Sequence, residues 1–137
     1  MIGIVVVTHG QLATELVNAA ETIVGDLPQF AAVSIGWHED VQDARDDIQS
    51  AIGRVKAGGS GVLILTDMFG GTPCNLAMTF LAKDQIEVVT GVNLPMLIKA
   101  ASLRERQDLT EVARLLREHG RNAIWVASDL LKGTTAP

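Results

Sequence analysis

The sequence predicts an α/β fold: a three-layer sandwich around a mostly parallel, open sheet of about five strands. Three observations carry this expectation. Apolar runs of strand length recur along the 137 residues, and all but the last read as near-continuous Val, Ile and Leu rather than alternating, which suits strands covered on both faces. Segments with apolar residues at helical spacing separate them. The spacings are compact, with no Ser/Pro-rich linker and no internal repeat, so strand and helix alternate as βαβ units.

Taken in order, Met1 leads directly into Ile2-Gly3-Ile4-Val5-Val6-Val7, which reads as a first strand over Ile4–Val7 and not as a signal peptide. Leu12, Leu16, Ala19, Ala20 and Ile23 form the stripe of a first helix, closed by Gly25 and followed by Pro28. Phe30–Ile35 is the second strand. Val41, Ala44, Ile48, Ala51, Ile52 and Val55 make a second helix that ends near Gly58-Gly59. Val62–Leu65 is the third strand. A short helix over Asn75–Lys83 follows it, with Thr72 expected as N-cap and Pro73 at the first helical position. Ile86–Val89 is the fourth strand and Leu94–Ala101 another short helix. Leu109, Val112, Ala113, Leu115 and Leu116 mark the last long helix, which Gly120 is expected to stop, and Ala123–Val126 reads as the fifth strand. Residues 1–130 are expected to form a single domain, with 131–137 a frayed tail.

Composition removes several function classes. With 47% hydrophobic residues and a net charge of −5, the chain can bury enough surface to fold, so disorder is excluded. No apolar run reaches the roughly 18 residues of a membrane span. Sixteen acidic residues against 11 basic ones argue against nucleic acid as a partner, since a phosphate backbone demands clustered Lys and Arg. The single Cys74 excludes an intrachain disulfide and a four-cysteine zinc site, and suits a reducing cytoplasm.

In an open parallel sheet, ligands bind beyond the carboxyl ends of the strands, where strand order reverses. Strand one ends in Thr8-His9-Gly10 and strand three in Thr66-Asp67-Met68-Phe69-Gly70-Gly71-Thr72-Pro73. His9 and Asp67 would therefore meet at one sheet edge. A carboxylate there can hold one ring nitrogen and leave the other free as a nucleophile, although a histidine that merely caps a helix fits the spacing equally well. Gly70 and Gly71 let backbone amides converge, and with Thr72 at a helix start they suit a phosphate; an ordinary capped turn is the plainer reading. No Lys of a nucleotide-cradling loop is present in that stretch, no metal ligand set accompanies it, and no cofactor is expected. A His nucleophile, an orienting Asp and an anion pocket without fixed cations together fit transient carriage of a phosphoryl group.

His38, beside Glu39 and Asp40, is expected in a solvated turn. His119 suits the last turn of a helix, and Cys74 is expected as a packing residue. The acidic stretch of Glu39, Asp40, Asp43, Asp46 and Asp47 fits the start of the second helix, and Arg114, Arg117 and Arg121 share a solvated face.

The stretches Ile4–Gly10, Leu65–Pro73 and Gly91-Val92-Asn93-Leu94-Pro95-Met96 resemble, in order and spacing, the enzyme IIA components of the mannose-type family of the bacterial phosphoenolpyruvate-dependent sugar phosphotransferase system (PTS). The resemblance runs from Met1 to about Asp129. It implies that His9 accepts phosphate from the phosphocarrier protein HPr and passes it to an enzyme IIB partner. It further implies that Asp67 orients the ring, that Thr72 with the amides of Gly70 and Gly71 receives the phosphoryl oxygens, and that Gly91–Met96 shapes the adjoining surface. A homodimer is implied, with the last strand antiparallel and exchanged between subunits, as is peripheral association with a membrane permease complex. With 137 residues the chain has no room for a fused IIB domain, so IIB is expected as a separate protein. Two other readings stand beside the transport role: a sensor of phosphorylation state, and a flavodoxin-like nucleotide or flavin module. The second lacks G-x-G-x-x-G after strand one. A receiver-like domain phosphorylated on aspartate would want acidic residues where Thr8 and His9 stand.

Overall fold

The structure, a computed structural model, describes residues 1–56, 59–106 and 108–132. Strands β1 (Gly3–His9), β2 (Phe30–Ile35), β3 (Val62–Thr66) and β4 (Ile86–Thr90) alternate with helices α1 (Leu12–Val24), α2 (Val41–Val55) and α3 (Gly71–Met78). Helices α4 (Leu94–Leu103), α5 (Leu109–Asn122) and α6 (Ala127–Leu131) complete the described chain. The sheet is wholly parallel, in the order β2-β1-β3-β4.

The two central strands are the most apolar, and their residues serve two cores in turn. Ile4 and Val6 of β1 with Leu63 and Leu65 of β3 pack against α1, α4 and α5. Val5 and Val7 with Val62 and Ile64 pack against α2 and α3. The result is the expected helix–sheet–helix sandwich, with period-two alternation dividing an unbroken apolar strand between two faces. Strand order reverses between β1 and β3, so their carboxyl ends flank the crevice where α/β sheets expose their ligands.

Three local expectations are corrected. The sheet has four strands among the described residues, because the segment 123–126 makes no pairing and leads into α6, with Ile124 and Val126 exposed. Helix α3 begins at Gly71 and ends at Met78, earlier than the expected Asn75–Lys83. No side chain caps it, so Thr72 lies inside its first turn and Pro73 two residues past its start. Gly120 does not stop α5, which continues to Asn122. A Cβ at Gly120 would stand 2.8 Å from Met96 Cε, so this glycine permits close packing of α5 on α4. Of the tail expected to fray, 131–137, Leu131 closes α6, and 133–137 lie outside the described residues.

Candidate functional site

His9 is the last residue of β1 and the first exposed one, after six buried positions. Its placement follows from the turn behind it. The buried Thr8 hydroxyl accepts the Ala13 N–H at 2.7 Å, tying the end of β1 to the first turn of α1. The Gly10 N–H donates to the Ile35 carbonyl at 2.8 Å, which fixes the same turn against β2.

Asp67 is the first residue after β3, and its carboxylate reaches back to His9 twice. Oδ2 accepts the His9 backbone N–H at 3.1 Å and lies 2.7 Å from the ring Nδ1. The carboxylate thereby extends the β1–β3 ladder past its last backbone pair, Val7 with Thr66. Oδ1 accepts the Met68 N–H at 3.1 Å. The Asp67 side chain is 14% exposed and the His9 side chain 52%, so the orienting group is sheltered while the ring faces water. Burial alone pushes the Asp67 carboxyl up. The hydrogen bonds from the His9 ring and backbone, with the positive charge the ring can carry, outweigh it and hold the carboxyl below its ordinary 3.8.

With Nδ1 turned to Asp67, the proton of a neutral ring belongs on Nδ1, and Nε2 carries the free lone pair. Gly71 lies directly against that side. A Cβ there would come within 3.1 Å of both Cε1 and Nε2. Gly70 and Gly71 have φ of 88° and 83°, a left-handed pair that suits glycine. They let the backbone turn close to the ring, and α3 starts at Gly71, a helix N-terminus of the kind whose dipole favours an anion. The Thr72 hydroxyl is exposed and takes no part in a cap. On the far side of β3, the Val92 N–H donates to the Thr66 carbonyl at 2.9 Å, packing the Gly91–Met96 turn against the same strand end.

The structure thus brings His9, Asp67 and Gly71 into contact and places Gly70 and Thr72 in the adjoining turn. The sequence reading missed the hydroxyl of Thr8 as the anchor of the His9 turn; a Thr one residue before a strand-end His, five before a helical Ala, was its only signal. It also assigned Gly71 to amide convergence alone, whereas the ring itself needs the missing side chain.

The residues set aside as bystanders fall elsewhere. His38 occupies an exposed turn with its ring edge-on to Trp37, and His119 the last turn of α5. Cys74 is buried with its sulfur 3.6 Å from that of Met78. Asp40 caps α2 by accepting the N–H groups of Gln42 and Asp43. Arg117 and Arg121 pair with Glu118. Arg114, Arg117 and Arg121 line a groove of about 650 Å³ beside β4 and α5, together with Phe69, Met78, Leu81 and Ile124; His9 is not among its lining residues. No cluster of three or more His, Cys, Asp or Glu suited to a metal ion occurs among the described residues. No helix among them is long and apolar enough to cross a membrane.

Known proteins are similar to this chain in sequence and in architecture. The family model EIIA-man, described as PTS system fructose IIA component, matches residues 3–116. The PTS system fructose-specific EIIA component of Bacillus subtilis is 32% identical over 133 residues, covering 96% of this chain and 90% of that one. The PTS system mannose-specific EIIAB component of Escherichia coli K12 is 30% identical over 140 residues, 99% of this chain but 43% of that longer protein. Among solved structures, the mannose/sorbose specific IIA subunit of the phosphotransferase system from Enterococcus faecalis superimposes with a TM-score of 0.81 at 31% identity, over 91% of this chain and 93% of that one. The chain belongs to the mannose-type family of PTS enzyme IIA components.

Proposed function

We propose that this IIA component carries a phosphoryl group on Nε2 of His9, taking it from phosphorylated HPr and handing it to an enzyme IIB partner in sugar uptake or its regulation. The single observation that carries this reading is the 2.7 Å contact of Nδ1 with Asp67, which leaves Nε2 as the free nucleophile on a half-exposed ring.

In the accepting step, the Nε2 lone pair attacks phosphorus and the donor's P–N bond breaks, returning its electron pair to the donor ring. The phosphorylated His9 ring keeps its Nδ1 proton and bears positive charge, which the Asp67 carboxylate stabilises. The amides around Gly70 and Gly71 and the Thr72 hydroxyl face the incoming oxygens. Transfer onward to IIB reverses these bonds. Among the described residues no Lys or Arg contacts His9, so the group is held by dipoles that let it leave.

The chain fits the cytoplasm, at the surface of a permease complex, and a homodimer. The free edge of β4 and the exposed apolar residues at 124–131 support the dimer, in which the C-terminal segment of one copy would lie along the sheet edge of the other.

The test is incubation with phosphoenolpyruvate, enzyme I and HPr, followed by mass-spectrometric mapping of the modified residue. Acid-labile, alkali-stable phosphate on His9, absent from His9→Ala, is the expected result. Undiminished labelling of His9→Ala refutes the proposal.

A further inference from the structure

Between β2 and α2, the chain makes a tight turn whose tip carries the most exposed large apolar side chain among the described residues. Trp37 is 92% exposed. The Glu39 N–H donates to the Gly36 carbonyl at 3.2 Å, and the Gly36 N–H donates to the Glu39 carboxylate at 3.4 Å, so the turn is closed by its own ends. The His38 ring packs edge-on against the indole at 6.0 Å. An indole in water is costly to expose, and apart from the edge of His38 nothing among the described residues covers it.

Its distance from the chemistry is set by the sheet. Ile35 is the register partner of His9 on the neighbouring strand. One strand spacing of about 4.8 Å plus two residues of chain, at most about 7 Å, puts the Trp37 backbone within about 12 Å of that of His9. A protein that delivers phosphate to Nε2 must dock over His9. A standard interface buries about 800 Å² per partner, a disc of roughly 16 Å radius, so its footprint includes Trp37.

We propose that Trp37 is a docking residue that determines how well this IIA component selects its phosphoryl donor, the partner being the donor phosphocarrier protein. The proposal rests on the reading that His9 accepts phosphate from such a protein. Met68, 53% exposed, and Phe69, 74% exposed, lie in the turn that follows Asp67, so apolar surface flanks the imidazole on both sides. A pre-organised indole loses little freedom on docking, and tryptophan is prominent among residues that dominate binding energy. Asp40, Asp43, Asp46 and Asp47 continue from the turn into exposed positions of α2. A donor that brings an anionic phosphoryl group to this surface therefore presents an apolar patch for the indole with basic side chains beside it.

The experiment compares wild type, Trp37→Ala and Trp37→Phe in phosphorylation by purified phosphorylated HPr and by phosphoramidate, a donor too small to reach the turn. Trp37→Ala should raise KM for phosphorylated HPr about tenfold or more with kcat little changed, and Trp37→Phe should recover most of the loss. Phosphoramidate should label His9 at the same rate in all three. A KM for phosphorylated HPr within twofold of wild type in Trp37→Ala overturns the proposal, and so does a loss confined to onward transfer to IIB. Failure of wild-type His9 to accept phosphate from either donor would instead refute the phosphoryl-carrier reading.

Discussion

At His9, the decisive detail is which ring nitrogen meets the carboxylate. Asp67 accepts at Nδ1, so a substitution that reverses donor and acceptor should do more harm than one that removes the partner altogether. Asp67→Asn can donate its amide to Nδ1, which moves the ring proton to Nε2 and blocks the lone pair; transfer from HPr should fall at least about 100-fold. Asp67→Ala leaves the ring free to choose, and the loss should be nearer tenfold. Stopped-flow or rapid-quench transfer rates test the order, and an Asn variant faster than the Ala variant would contradict the assigned tautomer. Acid stability gives a second readout. Because the folded-state carboxyl lies below its ordinary 3.8, its stabilisation is complete above that value and is lost as pH falls through the lowered one. Thermal melts below about pH 4 should therefore be less steep in pH for Asp67→Asn than for wild type. The meeting of these two residues was legible in the sequence because both follow apolar strand runs, and parallel strands bring their carboxyl ends to one edge. The nearness of Gly71 to the ring was not, since glycine pairs in a turn advertise backbone freedom without saying which neighbour occupies the vacated space.

Among the secondary-structure elements, the four paired strands were legible to within about two residues, because near-continuous apolar runs suit strands covered on both faces, whereas the fifth expected strand at 123–126 makes no pairing. Helix ends were less so. Thr72-Pro73 resembles a cap and first turn, yet consecutive left-handed glycines start α3 sooner. Gly120 resembles a stop, yet it lies at a helix crossing where a side chain would strike Met96. The burial of Arg104 had no signal in the sequence: it is 5% exposed, donates to the Pro28 carbonyl and lies 4.8 Å over the Phe30 ring. Asn93 shows how one side chain can join two elements. Its Oδ1 accepts the Met96 N–H at 3.0 Å, capping α4, while its Nδ2 donates to the Gly120 carbonyl of α5 at 3.1 Å. Asn93→Ala removes a cap of about 1 kcal/mol and a hydrogen bond of similar worth, and should lower Tm by roughly 5–10 °C. Asn93→Asp keeps the acceptor and loses only the donor, so calorimetry should place it between the two. Equal losses in both variants would mean that the cap contributes nothing.

For the whole molecule, the unfinished feature is the edge of the sheet at β4. β2 lies at the other edge, whereas β4 pairs with β3 on one side and borders the groove of about 650 Å³ on the other. Along that groove, Met78 and Leu81 are exposed, and the chain leaving α5 carries Ile124 at 76%, Val126 at 64% and Leu131 at 89% exposure. The short apolar run at 123–126 predicts a strand but cannot say where its partner lies, and the run makes no pairing within the chain. Exposed sheet edges and apolar tails are each a liability in water, and placing one on the other removes both. Ile124→Asp combined with Val126→Asp puts charge where about 2 kcal/mol per side chain of burial is expected, and should weaken self-association more than 100-fold. Sedimentation equilibrium at micromolar concentration should give a dimer for wild type and a monomer for the double variant. Labelling of His9 by phosphoramidate should persist in that monomer, since Asp67 and Gly71 come from the same chain as the ring. A monomeric wild type would remove the dimer, and a monomeric variant that no longer accepts phosphate would show that the site is shared between copies.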